Sequence, residues 1–382
     1  MIFTLFLAFP VWAGDDPPAP EAPTPPAATP DADARIAALE AQVQALQADL
    51  LQTQAEVLAG PDLSGAPQVS APSAYPMNPG LTAFGDLVGQ LGVQDGAVLP
   101  GSTMYLRSVE LDIRAAVDPY AKAAVVIAFE QEAPALDGTP GEGFGAEPEE
   151  AYLDLVALPW RLSGRVGKFK MPFGIVNRTH PHDLPWVEAP PGLEALGEEG
   201  YNDTGGTLSW ILPAGPVGLT FTGGVMSGEP WEEAGGLASP AALGRAEAFA
   251  SFGHLDLSLG ASAIEHPGLD AHALGADLSL RVRPNTYRSF VLLAELVQGT
   301  EGGLGGYAAV QVQPSHSLYL GLREDWVDDA LQHNAYLSYY TSEFLRMRVG
   351  ASYAPADDLL VAQLQTTFVW GSHPTEPWWV NR

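Results

Sequence analysis

The sequence predicts an all-β chain, a transmembrane antiparallel β-barrel of about 16 strands preceded by a short N-terminal coiled-coil helix. Three observations carry this expectation. From about Leu81 onward, apolar and polar residues alternate with a period of two. The links between these runs are short and long by turns, and the runs come to an even number, as single-chain bacterial barrels require.

Composition bounds the chemistry. The 382 residues include no cysteine, which excludes zinc-thiolate, iron–sulfur and cysteine-nucleophile sites. Gly 41 and Pro 34, with charged residues at 16%, suit short strands joined by many turns. The formal net charge of −29 excludes a nucleic-acid partner, because nothing here could neutralise a phosphate backbone.

Residues 1–13, MIFTLFLAFPVWA, read as a signal peptide whose apolar core ends at Val11-Trp12-Ala13, although no basic residue precedes it. The run is well short of the roughly 20 residues a membrane-spanning helix needs. Residues 14–34 form a Pro/Ala-rich linker that cannot bury a core. In residues 35–58, Ile36, Leu39, Val43, Leu46 and Leu50 recur at alternating steps of three and four, an a/d heptad that seeks partner helices. Residues 59–80 are a second, Pro/Gly-rich linker, residues 81–371 the barrel, and residues 372–382 a C-terminal tail.

Within the barrel, SVELDIRAAV places Val109, Leu111, Ile113, Ala115 and Val117 on one face, with Ser108, Glu110, Asp112 and Arg114 on the other. In the next run Ala123, Val125, Ile127 and Phe129 oppose Lys122 and Glu130, and the two runs are joined by the hairpin turn Asp118-Pro119-Tyr120. Tight links recur near 159, 214, 253, 286, 315 and 343. They alternate with longer links near 132–149, 170–203, 228–245, 265–271, 299–304, 327–332 and 354–358. That asymmetry puts the short turns on one rim and marks an outer-membrane barrel. Tyr105, Trp160, Trp210, Tyr353 and Trp370 fall near strand ends, where aromatic girdles sit. A soluble sandwich would need neither an export signal nor this loop alternation.

The exported heptad, the stretch MNPGLTAFGDLVGQ (Met77 to Gln90), the paired strands RSVELDIRAAVDPYAKAAVVIAFE and EEAYLDLVALPWRLSGRVGKFKMPFG, and the following NRTHPHDLPWV resemble the phosphate-selective porin (O and P) family. The block GKFKMPFG is the most distinctive part. The resemblance implies a sixteen-stranded, homotrimeric outer-membrane porin of a Gram-negative bacterium that conducts small solutes or ions passively, with the heptad as a periplasmic trimerising helix. One departure stands out. From Gly101 onward 35 acidic residues face 16 basic ones, whereas anion filters are built from basic rings. A weakly selective or cation-favouring pore is therefore expected, rather than a phosphate filter. The alternative is a structural protein that tethers the membrane toward the cell wall through its coiled coil.

Strand parity nominates the pore lining. Glu110, Asp112, Arg114, Lys122 and Glu130 should face inward, as should Asp154, Arg165, Asp277, Arg281 and Glu295, and so should Arg323, Arg346 and Arg348. Each of these could equally form a salt bridge with a neighbour and set no selectivity. The stretch GKFKMPFGIVNRTHPHDLPW opens the longest loop, Lys170 to Asp203, and Lys168, Lys170, Arg178, His180 and His182 would be its positive wall if that loop dips into the pore. Strict alternation aims Lys168 and Lys170 at lipid; a bulge at Gly167 is expected to turn both inward, with Phe169 outward, the alternative being that they reach up to anionic headgroups at the rim. His180, His182 and Asp183 could ligate zinc, because neutral imidazole and carboxylate suit it, or could simply cap a folded loop. No third, distant ligand can be assigned. No G-x-S-x-G, H-E-x-x-H or phosphate-loop motif occurs, so neither an enzyme nor a cofactor is expected.

Overall fold

A computed structural model describes residues 79–141, 143–197, 200–231, 240–300, 302–371 and 379–380. The signal peptide, the first linker and the heptad of Ile36, Leu39, Val43, Leu46 and Leu50 lie outside the described residues, as does nearly all of the second linker.

The strands are β1 (Gly80–Gln94), β2 (Ala97–Val98), β3 (Thr103–Asp118), β4 (Ala121–Glu130), β5 (Gly145–Leu158), β6 (Leu162–Lys170), β7 (Asn202–Ala214) and β8 (Val217–Met226). They continue as β9 (Ala241–Phe252), β10 (Leu255–His266), β11 (Ala271–Asn285), β12 (Arg288–Gly299), β13 (Leu304–Ser315), β14 (Leu318–Val327), β15 (Ala330–Ser342), β16 (Leu345–Ala354) and β17 (Leu359–Gly371). The two-residue β2 folds back on β1. β1 pairs with β3 on one side and with β17 on the other, from Thr82↔Gly371 to Gln94↔Leu359. Sixteen long antiparallel strands therefore close on themselves, and no backbone edge is left to satisfy.

Turn chemistry explains one rim. Asp118 Oδ1 accepts from the Tyr120 amide at 2.7 Å, Asn285 Oδ1 from the Tyr287 amide at 2.9 Å, and Ser342 Oγ from the Phe344 amide at 3.1 Å. Each closes a two-residue link on its own side chain. Gly215 and Gly253 open two more at positive φ. The opposite rim departs from expectation at one place. The longer link expected near 327–332 is a two-residue turn, Asp328-Asp329, with Asp328 at φ 49°.

The outer face is apolar, with Val225, Leu259, Leu274, Leu322 and Leu364 exposed. Tyr120, Trp160, Phe252, Tyr287 and Phe344 are exposed at or beside the short turns, and Trp370 at the end of β17, as an aromatic belt requires. Tyr105 does not join them. It is buried with Val88 and Val187, so it faces inward.

The interior is not uniformly polar. The segment between β6 and β7 folds into the barrel, and its Met171, Phe173, Ile175, Trp186, Leu193 and Leu196 form an apolar core with inward residues of β8 to β13 and β15, including Leu243, Ile264, Val291, Leu293 and Tyr307. Each fully buried side chain of this size contributes about 1.5–3 kcal/mol. Trp379 of the tail joins the same core. Contact is backbone to backbone at one point, where any Cβ on Gly192 would meet Gly306 and the Trp326 carbonyl. Gly305 and Gly306 sit inside β13 and leave room for the inner loop.

Candidate functional site

Between the inner loop and the barrel wall lies a polar cavity of about 960 Å³. Strand alternation points Arg114 (β3), Asp154 (β5), Arg165 (β6), Thr207 and Ser209 (β7), Glu247 (β9), and Asp277 and Arg281 (β11) into it. The loop contributes Arg178, His180 and Asp183, and Lys170 enters from its stem. Five Arg and Lys side chains and His180 face six acids across this lining.

Every one of those bases has an acidic partner. Arg165 binds Asp154 at 2.7 Å and 3.0 Å with its guanidinium 3.8 Å above the Tyr152 ring. Arg114 binds Asp112 at 2.8 Å, Arg281 binds Asp256 at 3.1 Å, Arg178 lies 3.6 Å from Glu247, and Lys170 is 2.9 Å from Glu149. Asp277 is held by Arg245 at 2.6 Å.

Two bulges build the other side of the site. In the β4–β5 pairing Val126 opposes Glu150 and Ile127 opposes Pro148, so Glu149 has no partner. The extra residue lets consecutive side chains turn the same way, and Glu149 and Glu150 both reach His180. In the β1–β3 pairing Asp86 opposes Ser108 and Leu87 opposes Leu106, which leaves Arg107 as the extra residue. Its Nε donates to Asp86 Oδ2 at 2.8 Å. The bulge expected at Gly167 is absent. β6 pairs with β7 without a shift, Phe169 is buried in the core and so faces inward, and Lys168 lies on the outward face between Ala151 and Thr204. Gly167 instead adopts φ 134°, where a Cβ would strike the Ala151 carbonyl.

His180 and His182 meet these carboxylates on a segment that enters the short 3-10 turn Pro181–Asp183 from an extended residue. His180 Nδ1 lies 3.3 Å from Glu149 Oε2 and 3.6 Å from Glu110 Oε2, and its Nε2 lies 3.3 Å from Glu150 Oε2. His182 Nδ1 is 3.0 Å from Glu110 Oε1. The two imidazoles stack on each other, and Phe84 stacks on His182. Burial alone would push both imidazoles down, but Glu149 and Glu150 hold His180 well above the usual histidine range. Glu110 and Asp183 raise His182 in the same way.

Sequence reasoning placed sixteen charged residues on the pore. Seven of them line the cavity, namely Arg114, Asp154, Arg165, Lys170, Arg178, Asp277 and Arg281. Glu110 and Asp112 are buried behind it, and Lys122 and Glu130 are exposed near the two rims. The last four hold the inner loop rather than the cavity wall. Arg348 donates to the carbonyls of Trp186 and Leu184, Arg346 to that of His182, and Arg323 to that of Glu188 at 2.8 Å. Glu295 accepts from the Val176 amide at 2.7 Å and from the Tyr307 hydroxyl at 2.9 Å. The reason is chemical. A loop folded into a barrel carries carbonyls that water no longer reaches, and guanidinium groups satisfy several at once. Arg107 does the same for Val187 at 2.6 Å, and Asn177 ties the loop ends together through Met171 and Tyr201. Sequence reasoning missed Arg107, Glu149 and Glu150, and only the pairing count of the neighbouring strand could have exposed the two bulged residues.

No family model matches the chain. A curated relative, an uncharacterized protein of Aquifex aeolicus (strain VF5), is 31% identical over 124 residues, which is 32% of this chain and 24% of the relative. The chain thus matches about a quarter of that relative's length. Among solved structures the barrel resembles Salmonella typhi OmpF in complex with daunomycin, at a TM-score of 0.53 and 11% identity, covering 77% of this chain and 98% of that one. An anion-selective porin from Comamonas acidovorans aligns at a TM-score of 0.49 and 13% identity, over 76% of this chain and 98% of that one. At these identities the likeness to OmpF is one of fold: this chain is a closed sixteen-stranded antiparallel barrel of the kind that porins use.

Proposed function

We propose that the chain is an outer-membrane porin of a Gram-negative bacterium, through which small hydrophilic solutes and ions diffuse passively between the inner loop and the wall of β3 to β11. The observation that carries this reading is a polar cavity of about 960 Å³ inside a closed barrel whose outer face is apolar. A barrel that only tethered the membrane would have no need of an open cavity lined by charged groups, because an apolar filling would be more stable.

The lining supports weak selectivity with a cation preference, and it argues against a phosphate filter. Each cavity base shares its charge with a carboxylate, and from Gly101 onward the chain carries 35 acidic residues against 16 basic ones. A phosphate would meet compensated cations instead of an open basic ring. The heptad of Ile36, Leu39, Val43, Leu46 and Leu50 supports a homotrimer with its coiled coil in the periplasm. Liposome swelling tests the reading. Vesicles containing the folded protein should swell in small neutral sugars, more slowly as the sugar grows, and vesicles that swell no faster than protein-free ones would refute it.

A further inference from the structure

We propose that Glu110, His180, His182 and Glu149 form a binding site for a divalent transition-metal ion, zinc by ligand type, beside the cavity. The donor atoms are already gathered. One carboxylate oxygen of Glu110 and the two imidazoles supply ligand atoms that all lie within 4.8 Å of one another. A tetrahedral ion at zinc's usual bond lengths needs ligand atoms about 3.3 Å apart. The observed separations are 3.0 Å from His182 Nδ1 to Glu110 Oε1, 3.6 Å from His180 Nδ1 to Glu110 Oε2, and 3.3 Å from His180 Nδ1 to Glu149 Oε2, so Glu110 would bridge the two rings and Glu149 would join from the His180 side. An N2O2 set of neutral imidazole and carboxylate suits zinc among the common divalent ions.

Two independent features point to an ion rather than to a self-contained salt-bridge cluster. His180 Nδ1 and Glu149 Oε2 are both buried and face each other at 3.3 Å as an ion pair that lacks hydrogen-bond geometry. An ion shared between the two atoms would satisfy both. The outer shell is also formed. Glu150 Oε2 lies 3.3 Å from the Nε2 of His180, the carboxylate support that fixes the ring of a metal-bound histidine. Phe84 holds the His182 ring by stacking, and Lys170 sits on the other oxygen of Glu149 at 2.9 Å. His180 and Glu150 line the cavity, which gives the ion a route in.

The test uses untagged, full-length protein folded in detergent, stripped with chelator and titrated with zinc by calorimetry and with cobalt(II) by visible absorption. One ion per chain and the intense absorption of tetrahedral cobalt are expected. H180Q/H182Q should abolish both, and E150Q should weaken zinc binding about 10- to 100-fold by freeing the His180 ring. H272Q/H333Q, which removes two histidines on β11 and β15 away from the site, should change neither. Wild-type protein that binds no zinc at millimolar concentration would overturn the proposal, and so would unchanged binding in H180Q/H182Q. Both readouts are independent of conductance, so a sealed barrel that binds zinc would overturn the porin reading alone.

Discussion

Arg348 on β16 donates to the carbonyl oxygen of Trp186 at 2.6 Å, across 162 positions of sequence, and to that of Leu184 at 2.7 Å. One side chain therefore fixes two neighbouring carbonyls of the inner loop against the wall. Arg348→Ala would leave both carbonyls without a donor, at about 1–3 kcal/mol each. The expected outcome is a lower urea midpoint of unfolding and a larger unitary conductance, because a released loop widens the passage. Arg348→Lys, which cannot reach both oxygens in one plane, should fall between Arg348→Ala and the parent chain.

The Lys170–Glu149 pair is half the consequence of the bulge in β5, and both side chains are largely buried. Glu149→Gln should destabilise the barrel by about 3 kcal/mol, since it strands a buried ammonium. Lys170→Met combined with Glu149→Gln should recover most of that loss. A double-mutant cycle on equilibrium unfolding measures the coupling.

Gly192 presses on Gly305 and Gly306 with no room for a methyl group. Gly192→Ala should cost about 1–3 kcal/mol as overpacking and lift the inner loop off β13. Faster cleavage of the loop by added protease, with the barrel strands still protected, is the expected readout.

What could be read in advance follows from the range of the interactions involved. In β17, Leu360, Leu364 and Phe368 are exposed while Gln365 and Thr367 are buried, which the sequence alternation displays because a period of two is a local property. The turns closed by Asp118, Asn285 and Ser342 were legible for the same reason. Arg107 and Glu149 were not, because a bulge is defined by counting residues on the partner strand, which local sequence does not display. In β12, Phe290, Leu292 and Leu296 face out while Val291, Leu293 and Val297 face in. An apolar stretch on both faces hides whether its inner side meets water or a folded loop. Arg323, Arg346 and Arg348 read as pore lining because basic residues on an inward face have two uses, and their partners are carbonyls more than a hundred residues away.

The heptad predicts separable assembly. Removing residues 35–58 should yield monomeric barrels on chemical crosslinking, with unitary conductance unchanged, where the full chain gives trimers. Trimers that persist without residues 35–58 would place the interface on the barrel itself.

The central claim is that the charged cavity is a conducting passage. The direct measurement is conductance across a planar lipid bilayer under a salt gradient. Stepwise openings are predicted, with a reversal potential showing modest cation preference that shrinks in Glu247→Gln and Asp183→Asn. A folded, inserted barrel that never opens, or one with strong anion preference, would contradict the account.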